Sequence, residues 1–369
     1  MIMKTLTISK IIIHSGAMPA KVVFSYGSPK SFSFVIARIF AGEWEGLGEC
    51  LHGTQAAFEP LGRSMIGQDA ARLDGLLGEG PVEVESWEKF QPNVVREMFS
   101  MALYDLVGKA YRMPMHLMLG GARRRRIPLM PCIFAEKPEI AAEIAQSFLA
   151  QGFRALKVKI FGKAPGDAAI IRAIRRVMPD GILQADANLG YPSAAEGRSA
   201  LRQLAEAGLT VAEDPFKGTL DEYRQVCAAT KSPLIMLDGP TRAWRGIHET
   251  CVQKAAQAIN LHPNMQGTFS EILARAAVAK AAGIPVMVAG TGYTGIGAFA
   301  HAQVAALIGL DFPYGEIGGM RDHGMPASSA EPQMPIQNGE FQLTDEPGHG
   351  GKLNPAMISK YATQTLELS

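Results

Sequence analysis

The sequence predicts an α/β fold in which a parallel barrel carries a rim of charged side chains. The first observation is a series of short apolar runs between Ala155 and Glu316, each ending near a polar residue. These polar residues are Lys159, Asp186, Glu213, Asp238, His262 and Glu316. They lie 27, 27, 25, 24 and 54 positions apart, and a recurring step of roughly 26 residues fits one strand, loop and helix of a barrel.

The second observation is that a stretch with helical apolar spacing follows each run. The predicted strands are residues 127–134, 154–160, 182–188, 210–216, 234–240, 258–262, 285–289 and 314–317. The predicted helices are residues 138–150, 167–178, 193–207, 221–230, 248–256, 269–282 and 296–310. Successive βα units at one period predict a parallel barrel whose chemistry lies at the C-terminal strand ends.

The third observation is that the chain on either side of this region does not follow the step. Predicted strands 5–13, 21–24 and 31–40, a turn at 42–46 and predicted helices 54–67, 69–77 and 93–108 form an α+β module. From about residue 326 the chain is rich in Pro and Gly, and we expect it to fold back over that module. The predicted domains are residues 1–125, 126–325 and 326–369.

Composition excludes several classes of function. The 36 basic residues balance 35 acidic ones, which argues against nucleic acid or membrane as a partner, and no apolar run reaches membrane length. The four cysteines are far apart with no CxxC pair, so we expect a reducing cytoplasm. The arginine run at 123–126 stands beside the domain junction, where solvation, or pairing with acidic residues across a subunit contact of a homo-oligomer, accounts for it better than nucleic acid does.

Three carboxylates end three successive predicted strands: Asp186, Glu213 and Asp238. Carboxylates crowded at one rim repel each other, and a hard divalent cation relieves that repulsion. A set of oxygen donors without Cys or clustered His favours Mg²⁺ over Zn²⁺. The alternative is that each carboxylate pairs with a lysine or caps the next helix, but three at matching positions favour the metal.

Lys157 and Lys159 lie two positions apart in a predicted strand, so both side chains project from the same face. A lysine held beside another cation and a metal has its pKa lowered, which suits a general base at neutral pH. Two solvated lysines on an edge strand would give the same spacing. The position of the pair within the barrel period favours the catalytic interpretation.

These motifs together resemble the signature of the enolase superfamily. They are Lys157-Val158-Lys159, Asp186-Ala187-Asn188, Glu213-Asp214-Pro215 and Asp238, and the first is similar to the muconate-lactonising (muconate cycloisomerase) subgroup of the mandelate racemase/muconate lactonising enzyme family. The resemblance implies a modified (β/α)₇β TIM-type barrel with an α+β capping domain made from both chain ends. It also implies Mg²⁺, with Mn²⁺ as a substitute, bound by the three carboxylates. Lys159 would then move the proton alpha to a substrate carboxylate, with Lys157 in support and the metal stabilising the enediolate.

The sequence departs from the family pattern at two strand ends. That subgroup has a second lysine on the sixth strand, where this chain has His262, which either transfers a proton or only binds substrate. Gly239-Pro240 stands where the family commonly has an acid and a hydroxyl residue. The seventh strand carries residues 288–292 without the histidine of the mandelate-racemase subgroup, so that subgroup is disfavoured.

The resemblance also implies that capping loops choose the substrate. The candidates are residues 14–28, with Phe24 and Tyr26, and residues 49–52, with Glu49; Asn188 adds a contact from the barrel. Neither loop contains arginine, which predicts an uncharged or weakly polar distal end of the substrate. For Glu49 a structural role is an equal alternative.

The function predicted from the sequence is Mg²⁺-dependent formation of an enolate from a small carboxylic acid. The reaction would be like that of muconate cycloisomerase, with racemisation or epimerisation of an amino-acid derivative, or dehydration of a hydroxy acid, as the alternatives on the same site. Cycloisomerisation and dehydration need one base, whereas racemisation needs groups on both faces of the substrate and so depends on His262. A barrel that binds a carboxylate without turnover is the non-enzymatic alternative, and glycoside cleavage gets no support from the lysine pair.

Overall fold

The structure is a computed structural model that describes residues 5–51, 53–80, 91–290, 293–309, 312, 315 and 323–369. The N-terminal elements are β1 (Lys10–Pro19), β2 (Ser31–Ala41), β3 (Trp44–Leu51), α1 (Gln55–Met65), a 3₁₀ helix (Ala70–Leu76), α2 (Gln91–Ala110) and α3 (Met115–Met118). Among the described residues, no helix is long and apolar enough to cross a membrane.

The barrel region and the tail follow in chain order. The next elements are β4 (Arg126–Pro128), β5 (Cys132–Ile133), α4 (Pro138–Ala150), β6 (Ala155–Lys159), α5 (Ala164–Val177), β7 (Ile182–Asp186), α6 (Ala194–Glu206), β8 (Val211–Glu213), α7 (Leu220–Ala229), β9 (Leu234–Leu237), a 3₁₀ helix (Gly239–Thr241), α8 (Trp244–Gln253), β10 (Ala258–Leu261), α9 (Pro263–Gln266), α10 (Phe269–Ala281), β11 (Val286–Val288) and α11 (Ile296–Ala305). The tail contributes β12 (Ile336–Gln337), β13 (Glu340–Gln342), α12 (Pro355–Tyr361) and β14 (Ala362–Leu368).

The barrel sheet is parallel, and its seven strands β5 to β11 are neighbours in chain order. The predicted eighth strand, residues 314–317, lies outside the described residues except for Gly315, which forms a parallel bridge with Leu129. The predicted strand 127–134 is divided. Its first part, β4, pairs with β13 of the tail, and only β5 joins the barrel sheet.

An apolar layer closes the barrel interior below the charged rim. It is formed by Met130, Ala155, Val211, Met236, Ala258, Met287 and Phe312. Because side chains alternate along a strand, Lys157 and Lys159 follow Ala155 on the inward face, and Glu213 follows Val211. The interior is therefore apolar at one end and charged at the other.

The capping sheet is antiparallel with the strand order β14-β1-β2-β3, so the last strand of the chain pairs with the first. β1 begins five residues later than predicted. It also ends six residues later, because residues 14–19 continue its ladder with β2 instead of forming a loop. The predicted strand 21–24 is absent from the sheet, and β3 covers residues 44–46 of the predicted turn. The predicted domain boundaries stay predictions.

Helix α2 packs closely on β3 because two glycines of that strand leave room for its backbone. A Cβ atom at Gly46 would lie 2.0 Å from the carbonyl oxygen of Ala102, and one at Gly48 would lie 2.1 Å from that of Met98. The same helix holds α10 of the barrel, since Arg96 binds the carboxylate of Glu271 at 2.9 Å. Glu271 also completes the capping box of α10 with Thr268. The cap and the barrel are thus joined beside the loop that follows β10, the sixth strand of the barrel.

Candidate active site

One cavity lies where the C-terminal ends of the barrel strands meet the cap, with a volume of ≈ 670 Å³. It is within the ~300–1,000 Å³ typical of small-molecule sites. Nine of the side chains predicted from the sequence line it: Phe24, Tyr26, Lys157, Lys159, Asp186, Asn188, Glu213, Asp238 and His262. The residues that the sequence singled out therefore meet at one cavity, and their individual roles stay predictions.

Both lysines of β6 are buried against carboxylates. Lys159 is 8% exposed, and its Nζ lies 2.5 Å from Oδ2 of Asp186. Lys157 is 1% exposed, and its Nζ lies 2.8 Å from Oε2 of Glu213 and 3.3 Å from Oδ2 of Asp186. Lys159 is the outer of the two and faces the cavity, which is the position a proton-transferring group needs. Lys157 lies below it as a bridge between two carboxylates.

The carboxylates differ in how readily they carry charge. Burial opposes ionisation of Asp186, but the charges of Lys159 and Lys157 outweigh it and lower its pKa. Burial raises the pKa of Glu213 despite Lys157, and the nearby charges of Asp186 and Asp238 add to that rise. Burial and the same crowding by Asp238 and Asp186 raise the pKa of Asp214 to about 8. The crowding at the rim thus favours the protonated form of Asp214 at neutral pH, whereas the lysines keep Asp186 ionised.

Asp238 is paired with Arg242, a residue that the sequence reasoning missed. Arg242 Nη2 lies 2.5 Å from Oδ2 of Asp238, and its Nε lies 3.3 Å from Oδ1. Burial raises the pKa of Asp238, but Arg242 and then His262 outweigh it, so the pKa is lowered. The signal available in the sequence was the i, i+4 spacing of these two residues across the Gly239–Thr241 turn.

His262 follows β10 and lines the cavity. β10 and β6 are four strands apart in the sheet, which places their ends on opposite sides of the mouth of a barrel with eight strands. Nδ1 of His262 lies 2.7 Å from Oδ1 of Asn264. Because an amide oxygen only accepts, Nδ1 of His262 is the donor in this contact.

The backbone is strained at two adjacent strand ends of the site. Asn188 and Leu189 after β7 have φ values of 45° and 59°, and Asp214 after β8 has a φ of 38°. Residues other than glycine rarely adopt this left-handed backbone conformation, and such strain persists where the surrounding structure enforces it. Here the hydrogen bond from the backbone N–H of Asn188 to Asp186, at 2.8 Å, fixes the first turn.

The carboxylates offer the type of ligand atom that Mg²⁺ prefers, but their side chains are not arranged around one ion. Asp186, Glu213 and Asp238 offer only oxygen, which Mg²⁺ prefers. Over the described part of the chain, however, no group of three or more His, Cys, Asp or Glu side chains is arranged to hold one ion. The three carboxylates face Lys157, Lys159 and Arg242 instead.

Glu49 does not line the cavity, which contradicts the interpretation of this residue as a substrate contact. Its carboxylate is fully buried and accepts hydrogen bonds from the backbone N–H groups of Thr294, Gly295 and Gly297 at the start of α11. The hydroxyl groups of Thr294 and Ser329 donate to it as well. Glu49 therefore joins the cap to the barrel, the structural alternative that the sequence left open.

A capped parallel barrel with buried lysines and carboxylates at its C-terminal rim defines this protein as a barrel enzyme. The family described as enolase C-terminal domain-like matches residues 139–357, more than half of the chain. The chain therefore belongs to the enolase superfamily, and the predicted family and fold class are confirmed.

Similar proteins support the same class. An N-succinyl-L-Arg/Lys racemase of Bacillus cereus is 24% identical over 275 residues, covering 72% of this chain and 74% of that protein. Two crystal structures share the fold. A muconate lactonizing enzyme of Pseudomonas fluorescens has a TM-score of 0.85 and 21% identity, covering 97% of this chain and 100% of that one. An enolase of P. fluorescens Pf0-1 with bound magnesium, potassium and tartrate has a TM-score of 0.86 and 19% identity, covering 97% of this chain and 92% of that one.

The named reactions of other relatives are varied. They include an o-succinylbenzoate synthase, a cis-3-hydroxy-L-proline dehydratase and dipeptide epimerases. These comparisons confirm the prediction that the protein is an enzyme, and superfamily members typically use Mg²⁺. Similar enzymes act on small carboxylates such as amino-acid derivatives.

Proposed function

We propose that this enzyme removes the proton alpha to the carboxylate of a small acid and returns a proton to the opposite face, as a racemase or epimerase. The observation that carries the proposal is that Lys159 and His262 line one cavity from strands four apart in the barrel sheet. A two-base reaction needs a group on each face of the substrate carbon. The site thus contains two groups suited to that geometry.

Each residue has a stated part in this proposal. Lys159 takes the proton with Nζ, and Lys157 holds the negative charge of Asp186 and Glu213 beside it. His262 gives or takes the proton on the other face through Nε2, while Asn264 fixes its tautomer. Asp186, Glu213 and Asp238 would hold Mg²⁺, which when bound supplies positive charge where the enediolate charge develops.

A reaction with one base is the second candidate, as cycloisomerisation or dehydration. It is favoured by the histidine that replaces the sixth-strand lysine, because His262 is shorter and already bonded to Asn264. In that case Lys159 moves the proton alone and His262 only binds substrate. The two candidates differ in whether the configuration at the alpha carbon is inverted.

Removing the metal is expected to abolish the reaction. The proposal is tested by ¹H NMR of alpha-proton exchange in deuterated water with N-succinyl amino acids, dipeptides, acid sugars and dienoic acids. We expect exchange with Mg²⁺ to fall by about 10²-fold or more after chelation, since charge stabilisation at the developing anion is lost. Mg²⁺ or Mn²⁺ should restore it. If calorimetry instead detects acid binding of equal affinity with and without Mg²⁺, and no exchange occurs, the protein is a binding barrel.

Substitution of His262 separates the two candidates. His262→Ala should still exchange the alpha proton of one enantiomer, because Lys159 remains, but should no longer form the other enantiomer. The measurement is chiral analysis of the product alongside deuterium incorporation. His248→Ala, which alters a histidine on α8 outside the cavity lining, is the matched control. Inversion that persists in His262→Ala would assign the second proton transfer to another group.

The cytoplasmic location and the homo-oligomeric state are also proposals. All four cysteines are free thiols, which is consistent with a reducing compartment. Within the arginine run, Arg125 pairs with Asp345 of the same chain at 2.9 Å, and Arg126 lies 3.8 Å from Glu340. Pairing within the chain therefore accounts for part of the charge that the sequence interpretation assigned to a subunit contact.

A further inference from the structure

The cavity is lined by two chemically different groups of side chains. One group is charged and includes Lys157, Lys159 and Arg242. The other consists of five aromatic side chains, which we call the aromatic wall: Tyr26, Phe24, Phe134, His323 and Phe32. A ligand that fills this cavity must therefore match charged and aromatic surfaces together.

The rings of the aromatic wall contact one another in a continuous series that begins at the exposed Tyr26. Tyr26 stacks on Phe24, with ring centroids 5.0 Å apart and planes 5° from parallel. Phe24 meets Phe134 edge to face at 5.4 Å, and Phe134 lies 5.1 Å from His323. His323 in turn meets the edge of Phe32 at 5.5 Å. Centroid separations of ~4.5–7 Å are those of favourable aromatic pairs, so the wall is ordered before any ligand arrives.

The wall is built from separate parts of the chain, which fixes its position. Tyr26 and Phe24 lie in the turn between β1 and β2, and Phe32 lies on β2 of the cap. Phe134 directly follows β5 of the barrel. The carbonyl oxygen of His323 accepts a hydrogen bond of 2.8 Å from the backbone N–H of Lys21, which ties the far segment to the cap. Each part thus supplies rings to one continuous surface.

A core role does not account for most of these rings, although His323 is buried and Phe32 packs against the barrel core. Tyr26 is 72% exposed, and Phe24, Phe32 and Phe134 are only partly buried, whereas core aromatics such as Phe34 and Phe216 are fully buried. The wall also reaches the proton-transferring group, because Nζ of Lys159 lies 5.3 Å from the centre of the Phe24 ring. An apolar group of the ligand would therefore lie beside the reacting carbon and cover surface that the protein itself leaves open.

We propose that the substrate is a carboxylic acid with an aryl group, whose ring packs on the aromatic wall while its carboxylate lies toward Lys157 and Lys159. This inference deepens the proposed function and rests on it for the orientation of the acid. Ring faces and edges attract another aromatic ring through their quadrupoles, in addition to excluding water. A saturated ring of similar size gains only the second effect.

The experiment compares three acids with one carboxylate and different tails: 3-phenylpropanoate, 3-cyclohexylpropanoate and butanoate. Binding to the full chain with Mg²⁺ is measured by calorimetry. We expect the phenyl acid to bind about fivefold more tightly than the cyclohexyl acid, which corresponds to a difference of about 1 kcal/mol in binding free energy. Butanoate should bind most weakly. Equal affinity of the two ring acids, tighter binding of the cyclohexyl acid, or no binding of any of the three would overturn the inference.

Variants locate the preference. Tyr26→Leu and Phe134→Leu each keep an apolar side chain but remove a ring, and we expect the phenyl-to-cyclohexyl ratio to fall toward one. Tyr26 is exposed, so its variant tests the wall without risk to folding. Tyr361→Leu, on α12 outside the cavity lining, should keep the wild-type ratio. An unchanged ratio in both wall variants refutes the assignment.

The outcomes for this inference and for the proposed function are distinct. Alpha-proton exchange on aliphatic acids with no aryl preference would leave the proposed function standing and remove the aryl class. Selective aryl binding without exchange on any acid would keep the aryl site and remove the proposed reaction.

Discussion

Lys159→Ala is expected to reduce alpha-proton exchange by about 10²–10⁴-fold, the usual contribution of a positioned acid or base. The reason is geometric: Nζ of Lys159 is the outer amine of the buried pair and faces the cavity, whereas Lys157 lies below it between Asp186 and Glu213. Exchange is followed by NMR at fixed Mg²⁺. Full exchange in this variant would remove Lys159 from its role.

Two further variants separate the role of Lys159 in proton transfer from the effect of its positive charge. Lys159→Arg keeps a cation beside Asp186 but cannot give up its proton at neutral pH, so we expect a loss close to that of Lys159→Ala. Lys163→Ala removes an exposed lysine four residues along the chain and should behave as wild type. If Lys159→Arg retains most of the activity, the contribution of Lys159 is electrostatic and another group moves the proton.

Folding of these variants is checked independently by thermal unfolding. After Lys159→Ala, Asp186 keeps Lys157 at 3.3 Å and the backbone N–H of Asn188 at 2.8 Å. The carboxylate is therefore not left unpaired in the interior, where an isolated charge would cost several kcal/mol. A variant that folds but does not exchange the alpha proton gives a direct result for the role of Lys159.

The sequence predicted the rim of the barrel because that rim repeats. Asp186 and Glu213 end short strands and His262 directly follows one, and the intervals between them are set by the length of a βα unit. Alternation along β6 likewise predicted that Lys157 and Lys159 share one face. Such local rules act within one unit of the chain, so a single sequence is enough to apply them.

The aromatic wall and Arg242 follow no such repeat. Phe134 and His323 are distant in the chain, and only the closing of the barrel and the position of the cap bring their rings together. The sequence expectation of an uncharged distal pocket came from two loops and overlooked Arg242, which enters from the fifth-strand turn. Contacts with segments outside the barrel repeat depend on the tertiary structure, and the period contains no information about them.

Glu49 illustrates the same limit within one strand. Its position near a capping loop predicted a substrate contact, because the sequence reasoning placed no strand there. In the structure β3 covers Trp44–Leu51, and the side chain of Glu49 is fully buried. The carboxylate receives the free N–H groups at the start of α11, which are anion-binding groups of any helix.

Substituting Glu49 is therefore expected to affect folding more than substrate choice. Glu49→Ala leaves five donors without their acceptor, from Thr294, Gly295, Gly297 and Ser329, in a site closed to solvent. Because each buried unsatisfied donor costs about 1–3 kcal/mol and part of the site relaxes, we expect a total loss of about 3–5 kcal/mol in the free energy of unfolding. Urea titration measures this loss.

Glu49→Gln tests whether the charge or the shape matters. One oxygen becomes an NH₂ group that cannot accept, while each carboxylate oxygen now receives at least two donors, so we expect a loss of about 2–4 kcal/mol. Glu45→Ala is the control on the same strand, since its pair with Arg38 is partly exposed and worth about 1 kcal/mol or less. Glu49→Gln with wild-type stability but altered preference among the three test acids would return Glu49 to the substrate site, because only direct contact with the ligand could change selectivity without weakening the attachment of the cap to α11.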